Sequence, residues 1–139
     1  MIDVSEVQTK QNVLTGGITD NGKEEDLEIP CQTVVYEVEG PLFFGTVRKF
    51  ELAMEKANID CKAFVIRMRN TNYVDAGGLK ALEQCKEACD RKNITIILSG
   101  VHTQPYMLME KTGMLELLGK ENVFENISEA LNRAKEIVE

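Results

Sequence analysis

The chain has 139 residues, a length that fits one domain and allows it to bury a hydrophobic core of its own. Its 16 basic and 23 acidic residues give a net charge of −7. This balance argues against nucleic acid as a partner, which needs a basic surface, and against an anionic membrane surface, which attracts basic clusters.

The negative charge is concentrated at the start of the chain. Residues 1–30 contain seven acidic side chains and two lysines, so they carry −5 of the total of −7. Glycine, asparagine and acidic residues between 15 and 30 are typical of a loop, and a short strand is predicted before them at 12–14. We therefore predict an acidic connector over 1–30 and a folded domain over 31–139.

Several classes of protein are disfavoured by what the sequence lacks. No apolar run reaches the roughly 18 residues of a transmembrane helix, and residues 1–30 do not have the pattern of a signal peptide. The four cysteines form no CxxC pair and His102 is the only histidine, so neither a metal site nor a disulfide framework is predicted. Reduced cysteines indicate a reducing compartment.

Strand and helix patterns alternate after the connector. In chain order they predict a strand at 33–38, a helix at 46–57, a strand at 63–68, a helix at 77–92, a strand at 94–98, a helix from Pro105 to Gly113, a short turn at 114–118, a terminal strand at 123–124 and a last helix capped by Asn126. This alternation predicts an α/β domain with a mainly parallel sheet.

Loops at the carboxyl ends of the strands are the expected place for a ligand in such a sheet. The last of these loops, at 99–103, holds Ser99 and His102. However, the sequence contains no GxSxG or HExxH motif, and nothing arranges these residues with Asp75 in a catalytic triad. The sequence therefore predicts no catalytic residues and no enzyme. The three loops expected to meet are 40–45, 70–78 and 99–103.

The first loop contains two glycines at the spacing of a P-loop, Gly40 and Gly45. A threonine and a valine stand where that motif has lysine and a hydroxyl residue, so a phosphate cradle is not predicted. Two aromatic residues follow Pro41, and they have two interpretations. Phe43 and Phe44 are either core residues that staple the next helix, or one of them is exposed as an anchor for a partner.

The second loop leads into the helix predicted at 77–92. Asp75 is placed to cap that helix, which is worth about 1 kcal/mol. Gly77 and Gly78 are poor helix formers, so their presence in a first turn indicates the close approach of another backbone or of a ligand. Bare amides at a helix start also bind anions, which keeps a phosphate group open as an alternative.

Four motifs in these regions occur in order over about residues 32–138. Together they resemble the STAS domain of SulP-type (sulfate permease family) anion transporters. The motifs are VYEVEGPLFFG at 35–45, DAGGL at 75–79, LSGV at 98–101 and LLGKENVF at 117–124.

The resemblance implies a mixed sheet flanked by helices, on the cytoplasmic face of the membrane after the last helix of a transporter. It implies a regulatory role, with contacts to the membrane domain of the same transporter, to a cytoplasmic regulatory protein or to acyl carrier protein, and weak nucleotide binding in some members. The candidate nucleotide- or partner-binding residues are Asp75, Ala76, Gly77, Gly78, Pro41, Phe43, Phe44, Gly45 and Ser99.

An alternative is a stand-alone STAS module of the anti-sigma factor antagonist type, which binds a partner protein. In that group the second residue after the loop aspartate is a serine that a partner kinase phosphorylates. Here that position is Gly77, preceded by Ala76, and neither has a hydroxyl group to accept phosphate. The resemblance therefore favours the transporter branch.

Overall fold

The computed structural model describes Val7–Gln8, Val13–Leu14, residues 27–39 and residues 61–139. The helix predicted at 46–57 lies outside these residues. The first candidate loop, with Pro41, Phe43, Phe44 and Gly45, also lies outside them.

Short strands occur within the first thirty residues. They are β1 (Val7–Gln8), β2 (Val13–Leu14) and β3 (Leu27–Glu28), and β2 pairs antiparallel with β3. The strand predicted at 12–14 is thus present as β2. Ile29 is buried in the core, directly before the first long strand. The role of residues 1–30 as an acidic connector stays a prediction.

The longer apolar runs form the centre of a four-stranded sheet. β4 (Thr33–Glu39), β5 (Ala63–Asn70) and β6 (Thr95–Ser99) pair in parallel, and β1 lies antiparallel along β4, which gives the order β1-β4-β5-β6. The sheet is therefore mixed and mainly parallel, as the motifs implied.

Both faces of the sheet are buried, which explains the continuous apolar runs in β5 and β6. Successive side chains on a strand point to opposite faces, so Phe64 and Ile66 pack into one core and Val65 packs into the other. Helices α1 (Ala76–Arg91), α2 (Thr103–Thr112) and α3 (Met114–Leu118) contribute to the first core, and α4 (Ile127–Val138) covers the other face.

The helix ends follow the predicted signals, with one shift. Gly113 closes α2 in the left-handed conformation (φ 85°), and the Asn126 side chain accepts a hydrogen bond from the Glu129 amide at 2.9 Å to cap α4. The start of α2 is Thr103 rather than Pro105. Because a helix leaves its first amides without partners inside the helix, proline fits the first turn equally well there.

The strand predicted at 123–124 is the main difference between expectation and structure. A 3₁₀ turn occupies Lys120–Asn122 and the cap of α4 follows at Asn126, so little extended chain is left between them. The segment forms a single parallel bridge between Leu98 and Val123 at the end of β6.

Candidate functional site

The loops after β5 and β6 meet at the carboxyl edge of the sheet, as the parallel strands predict. The His102 Nε2–H donates to the carbonyl oxygen of Arg69 at 2.5 Å. Gly100 also lies close to Arg69: a Cβ added to Gly100 would come within 2.8 Å of the Arg69 backbone nitrogen. The left-handed φ of Gly100, +67°, and this close approach both explain why glycine stands there.

A side chain from α2 holds the β5–α1 loop in place. The Gln104 amide accepts a hydrogen bond from the Val74 backbone N–H at 2.8 Å and donates one to the Val74 carbonyl at 3.0 Å. Val74 itself is buried. The two bonds act like a strand pairing between the loop and α2, so the start of α1 is positioned by α2 and not only by β5.

Asp75 caps α1, which confirms the interpretation based on its position. One carboxylate oxygen accepts a hydrogen bond from the Gly78 amide at 2.7 Å. Along this first turn, Ala76 is exposed, Gly77 is half-buried and Gly78 is buried. The carboxylate already occupies the amide that an anion would use, and its negative charge opposes a phosphate group at the same place.

Tyr73, which the sequence analysis did not single out, is 56% exposed on this loop, two residues before Asp75. It is flanked by exposed Asn72 and buried Val74, so the loop presents one aromatic ring outward while its neighbour is held in the core. The sequence signal for this residue is a tyrosine within a polar loop. An exposed tyrosine offers a partner a large apolar contact with a polar tip.

Ser99 is at the carboxyl end of β6, but its hydroxyl is fully buried. It lies in register with Arg67 of β5, which in turn lies in register with Glu37 of β4. Within the described part of the chain the Ser99 hydroxyl has no hydrogen-bond partner. It therefore does not reach the surface on which the Asp75 loop lies.

An ionic cluster joins β4 to β5 beside Ser99. Glu37 accepts hydrogen bonds from Arg67 Nη1 at 3.4 Å, from Arg69 Nη2 at 3.2 Å and from Asn70 Nδ2 at 3.0 Å. The Arg67 side chain is only 1% exposed. The signal for this cluster in the sequence is a single arginine inside an apolar strand, but its partner becomes evident only from the register.

No catalytic arrangement is formed by the described residues. Asp75 is bonded to a backbone amide, His102 is bonded to a backbone carbonyl, and Ser99 is fully buried. The same ranges contain no cluster of histidine, cysteine and carboxylate side chains that would hold a metal ion. Nor does any helix among them have the length and apolar character needed to cross a membrane.

Comparison of the sequence with known families matches residues 25–130 to the family described as the STAS domain. Among curated relatives, the Bacillus subtilis protein named "Putative sulfate transporter YvdB" is 29% identical over 96 residues, which cover 68% of this chain and 18% of that protein. "Sulfate transporter 4.1, chloroplastic" of Arabidopsis thaliana is 23% identical over 111 residues, 70% of this chain and 16% of that protein. The chain thus spans less than a fifth of the length of these relatives.

Solved structures agree with this fold. A sulfate transporter family protein from Wolinella succinogenes is 34% identical, with a TM-score of 0.73, and the match covers 79% of this chain and 90% of that one. The SulP transporter STAS domain from Vibrio cholerae is 25% identical, with a TM-score of 0.70 and coverage of 79% and 86%. A "putative anti-sigma factor antagonist" from Thermotoga maritima shares the fold alone, at 11% identity, a TM-score of 0.63 and coverage of 78% and 92%.

Proposed function

This chain belongs to the STAS domain family, and from that premise we propose that it is the non-catalytic, regulatory domain of a SulP-type anion transporter, lying at the cytoplasmic face of the membrane. The observation that carries the proposal is the 34% identity with a sulfate transporter family protein over 90% of that protein's chain. The likeness to the anti-sigma factor antagonist, at 11%, is much weaker.

The proposed partner is the membrane domain of the same transporter. Curated relatives named as sulfate transporters are more than five times as long as the part this chain matches, so a domain of this kind lies beside a much larger one in those proteins. A cytoplasmic regulatory protein or acyl carrier protein would be a second class of partner that uses the same type of surface.

The proposed contact is the β5–α1 loop, at Tyr73 and at Asp75 to Gly78. Gln104 anchors this loop while Tyr73 and Ala76 remain exposed, so the loop is preformed and needs little ordering on binding. The loop with Pro41, Phe43, Phe44 and Gly45 follows a neighbouring parallel strand in sequence, so it is a further proposed part of this contact. Because the Asp75 carboxylate covers the helix start, a protein partner suits this site better than a nucleotide phosphate.

The stand-alone alternative is associated with a phosphorylated serine at the second position after the loop aspartate, and that serine is absent here. Ala76 and Gly77 follow Asp75, and neither offers an oxygen for phosphate transfer. Regulation at this surface would therefore depend on contact with the partner and not on phosphorylation at the two positions after Asp75.

The first test is the reading frame that precedes Met1 in the gene. The proposal expects it to continue upstream through many apolar segments of about 20 residues each, the length that spans a bilayer. A stop codon followed directly by the start of this chain would contradict it.

The second test separates contact from stability in the full-length protein. We expect Tyr73→Ser to reduce uptake of sulfate, bicarbonate or a dicarboxylate, whichever the transporter carries, while the melting temperature of the 139-residue chain stays the same. Lys92→Ala, at the far end of α1, is the matched surface control and should change neither quantity. Equal uptake by both variants and the wild type would remove Tyr73 from the proposed contact.

A further inference from the structure

A second surface, next to the loop after β6, has the properties of a binding groove. A groove of about 410 Å³ lies between the first turns of α2 and the segment that leads from the Leu98–Val123 bridge into α4. We call it the α2–α4 groove. Its lining includes Val101, His102, Tyr106, Met107, Phe124, Glu125 and Glu129.

The walls of the α2–α4 groove are held by backbone hydrogen bonds. The Phe124 amide donates to the Leu98 carbonyl at 2.9 Å, and the Val101 amide donates to the Phe124 carbonyl at 3.4 Å. On the other side, the cap formed by Asn126 fixes the first turn of α4 and with it Glu129. A partner would therefore meet a preformed site and would not have to order the loop first.

Apolar side chains are left open to solvent along this groove. Met107 is 60% exposed and Tyr106 is 37% exposed, and these are two of the four large hydrophobic residues that are exposed in the described part of the chain. Phe124 is half-buried: it packs against the core beneath α4 and also lines the groove. Methionine adapts its shape to a partner, and tyrosine gives a rigid aromatic surface, so this combination is typical of a contact surface.

The charge of the groove determines what can occupy it. Glu125 and Glu129 are exposed and line it, and neither forms an ion pair with any described residue. No lysine or arginine from the described ranges lines it. Two carboxylates repel phosphate and carboxylate ligands and attract a cation.

Aromatic faces next to carboxylates match one side chain best. The planar guanidinium of arginine stacks on aromatic rings and donates paired hydrogen bonds to a carboxylate, whereas a lysine ammonium does only part of this. A metal ion would gain nothing from the apolar side chains of Tyr106, Phe124 and Met107 that line the groove. The occupant should therefore combine a positive charge with apolar side chains.

We propose that the α2–α4 groove binds a basic segment of a partner protein, with an arginine side chain between the rings of Tyr106 and Phe124 and the carboxylates of Glu125 and Glu129. An apolar residue next to that arginine would cover Met107. Cytoplasmic loops of membrane proteins are rich in arginine and lysine, so the identity of the partner as the membrane domain of the transporter rests on the proposed function.

The probe for the test is a short fluorescent peptide of arginine, leucine and serine, compared with the same peptide in which glutamate replaces arginine. Fluorescence anisotropy with the 139-residue chain should show saturable binding of the arginine peptide only. Amide chemical shifts should move at 101–104, 106–107 and 123–129. Equal affinity for both peptides, no binding at millimolar concentration, or shifts confined to other regions would overturn the proposal.

Matched variants distinguish the groove from general charge attraction. The double variant Glu125→Gln and Glu129→Gln should weaken binding about tenfold, the loss expected when a charge-assisted hydrogen bond is removed. Glu83→Gln with Glu87→Gln changes the same net charge on the exposed surface of α1 and should leave binding unchanged. Equal weakening by the two double variants would mean attraction by net charge alone.

A second pair of variants tests the apolar part of the contact. Met107→Ser should weaken binding, and Leu117→Ser, which alters another exposed apolar residue outside the groove, should not. Because these assays contain no membrane domain, a negative result rejects the groove as a binding site and leaves the proposed regulatory function to the uptake experiment.

Discussion

The buried ion pair between Arg67 and Glu37 leads to the most discriminating prediction on stability. The Arg67 side chain is 1% exposed and Glu37 is 16% exposed, with 3.4 Å between Nη1 and Oε1. Removing one partner of a buried pair costs about 3–5 kcal/mol, because the other charge then stays out of water and loses the attraction of the removed group. We therefore expect Glu37→Gln to lower the free energy of unfolding by about 3 kcal/mol, a large fraction of the 5–15 kcal/mol typical of a domain.

The reverse substitution should cost less, because Glu37 is partly exposed to water whereas Arg67 is buried. After Arg67→Met, Glu37 still accepts hydrogen bonds from Arg69 and Asn70 and still contacts water. We expect a loss of about 1–2 kcal/mol, close to that of one charged hydrogen bond. The double variant Glu37→Gln with Arg67→Met should recover most of the loss caused by Glu37→Gln, since no buried charge of the pair then remains.

Urea unfolding followed by far-ultraviolet circular dichroism measures these differences, with an exposed ion pair as control. Lys86 and Asp90 are closer together, at 2.6 Å, but Asp90 is 55% exposed. Asp90→Asn should therefore cost less than about 0.5 kcal/mol. If Glu37→Gln costs no more than Asp90→Asn, or if the double variant is less stable than Glu37→Gln, the argument from burial is refuted.

Three further predictions concern the loops at the carboxyl edge of the sheet. Gly100→Ala should lower the urea midpoint well beyond Gly113→Ala, because both positions have positive φ but only at Gly100 does an added Cβ meet backbone, at 2.8 Å. Gln104→Leu should speed hydrogen exchange at the Val74 amide, which loses its acceptor, while exchange in the core strands is retained. Asp75→Ala should cost about 1 kcal/mol in urea unfolding, the value of a helix cap, and a larger loss would show a further stabilising contact.

Local patterns were sufficient for most of the elements. The continuous apolar run at Phe64 to Ile66 predicts a strand buried on both faces, and the structure packs its alternate side chains into two separate cores. The caps at Asp75 and Asn126 were predictable, because a short polar side chain accepts a hydrogen bond from the backbone amide three residues later. The prediction of a terminal strand at 123–124 was wrong, because the 3₁₀ turn before this segment and the helix cap after it leave room for a single bridge.

The candidate site was only partly predictable. The position of Asp75 at a helix start follows from its neighbours in sequence. The hydrogen bonds between Gln104 and Val74, by contrast, join residues thirty positions apart. Local patterns also could not predict that Ser99 is buried, because the register of β6 against β5 turns its hydroxyl into the interior beside Arg67. A shift of one residue in that register would have placed it on the opposite face.

The sequence by itself determined the family, the order of the long strands and helices within residues 33–39 and 61–139, and the absence of hydroxyl groups at Ala76 and Gly77. Motifs and hydrophobic periods are properties of neighbouring residues, so local patterns are enough for these features. The tertiary structure alone decided that Glu37 meets Arg67. It also brought the start of α2 next to the segment before α4 to form the acidic, apolar α2–α4 groove. Both depend on strand register and on long-range pairing at the end of β6, which no local pattern contains.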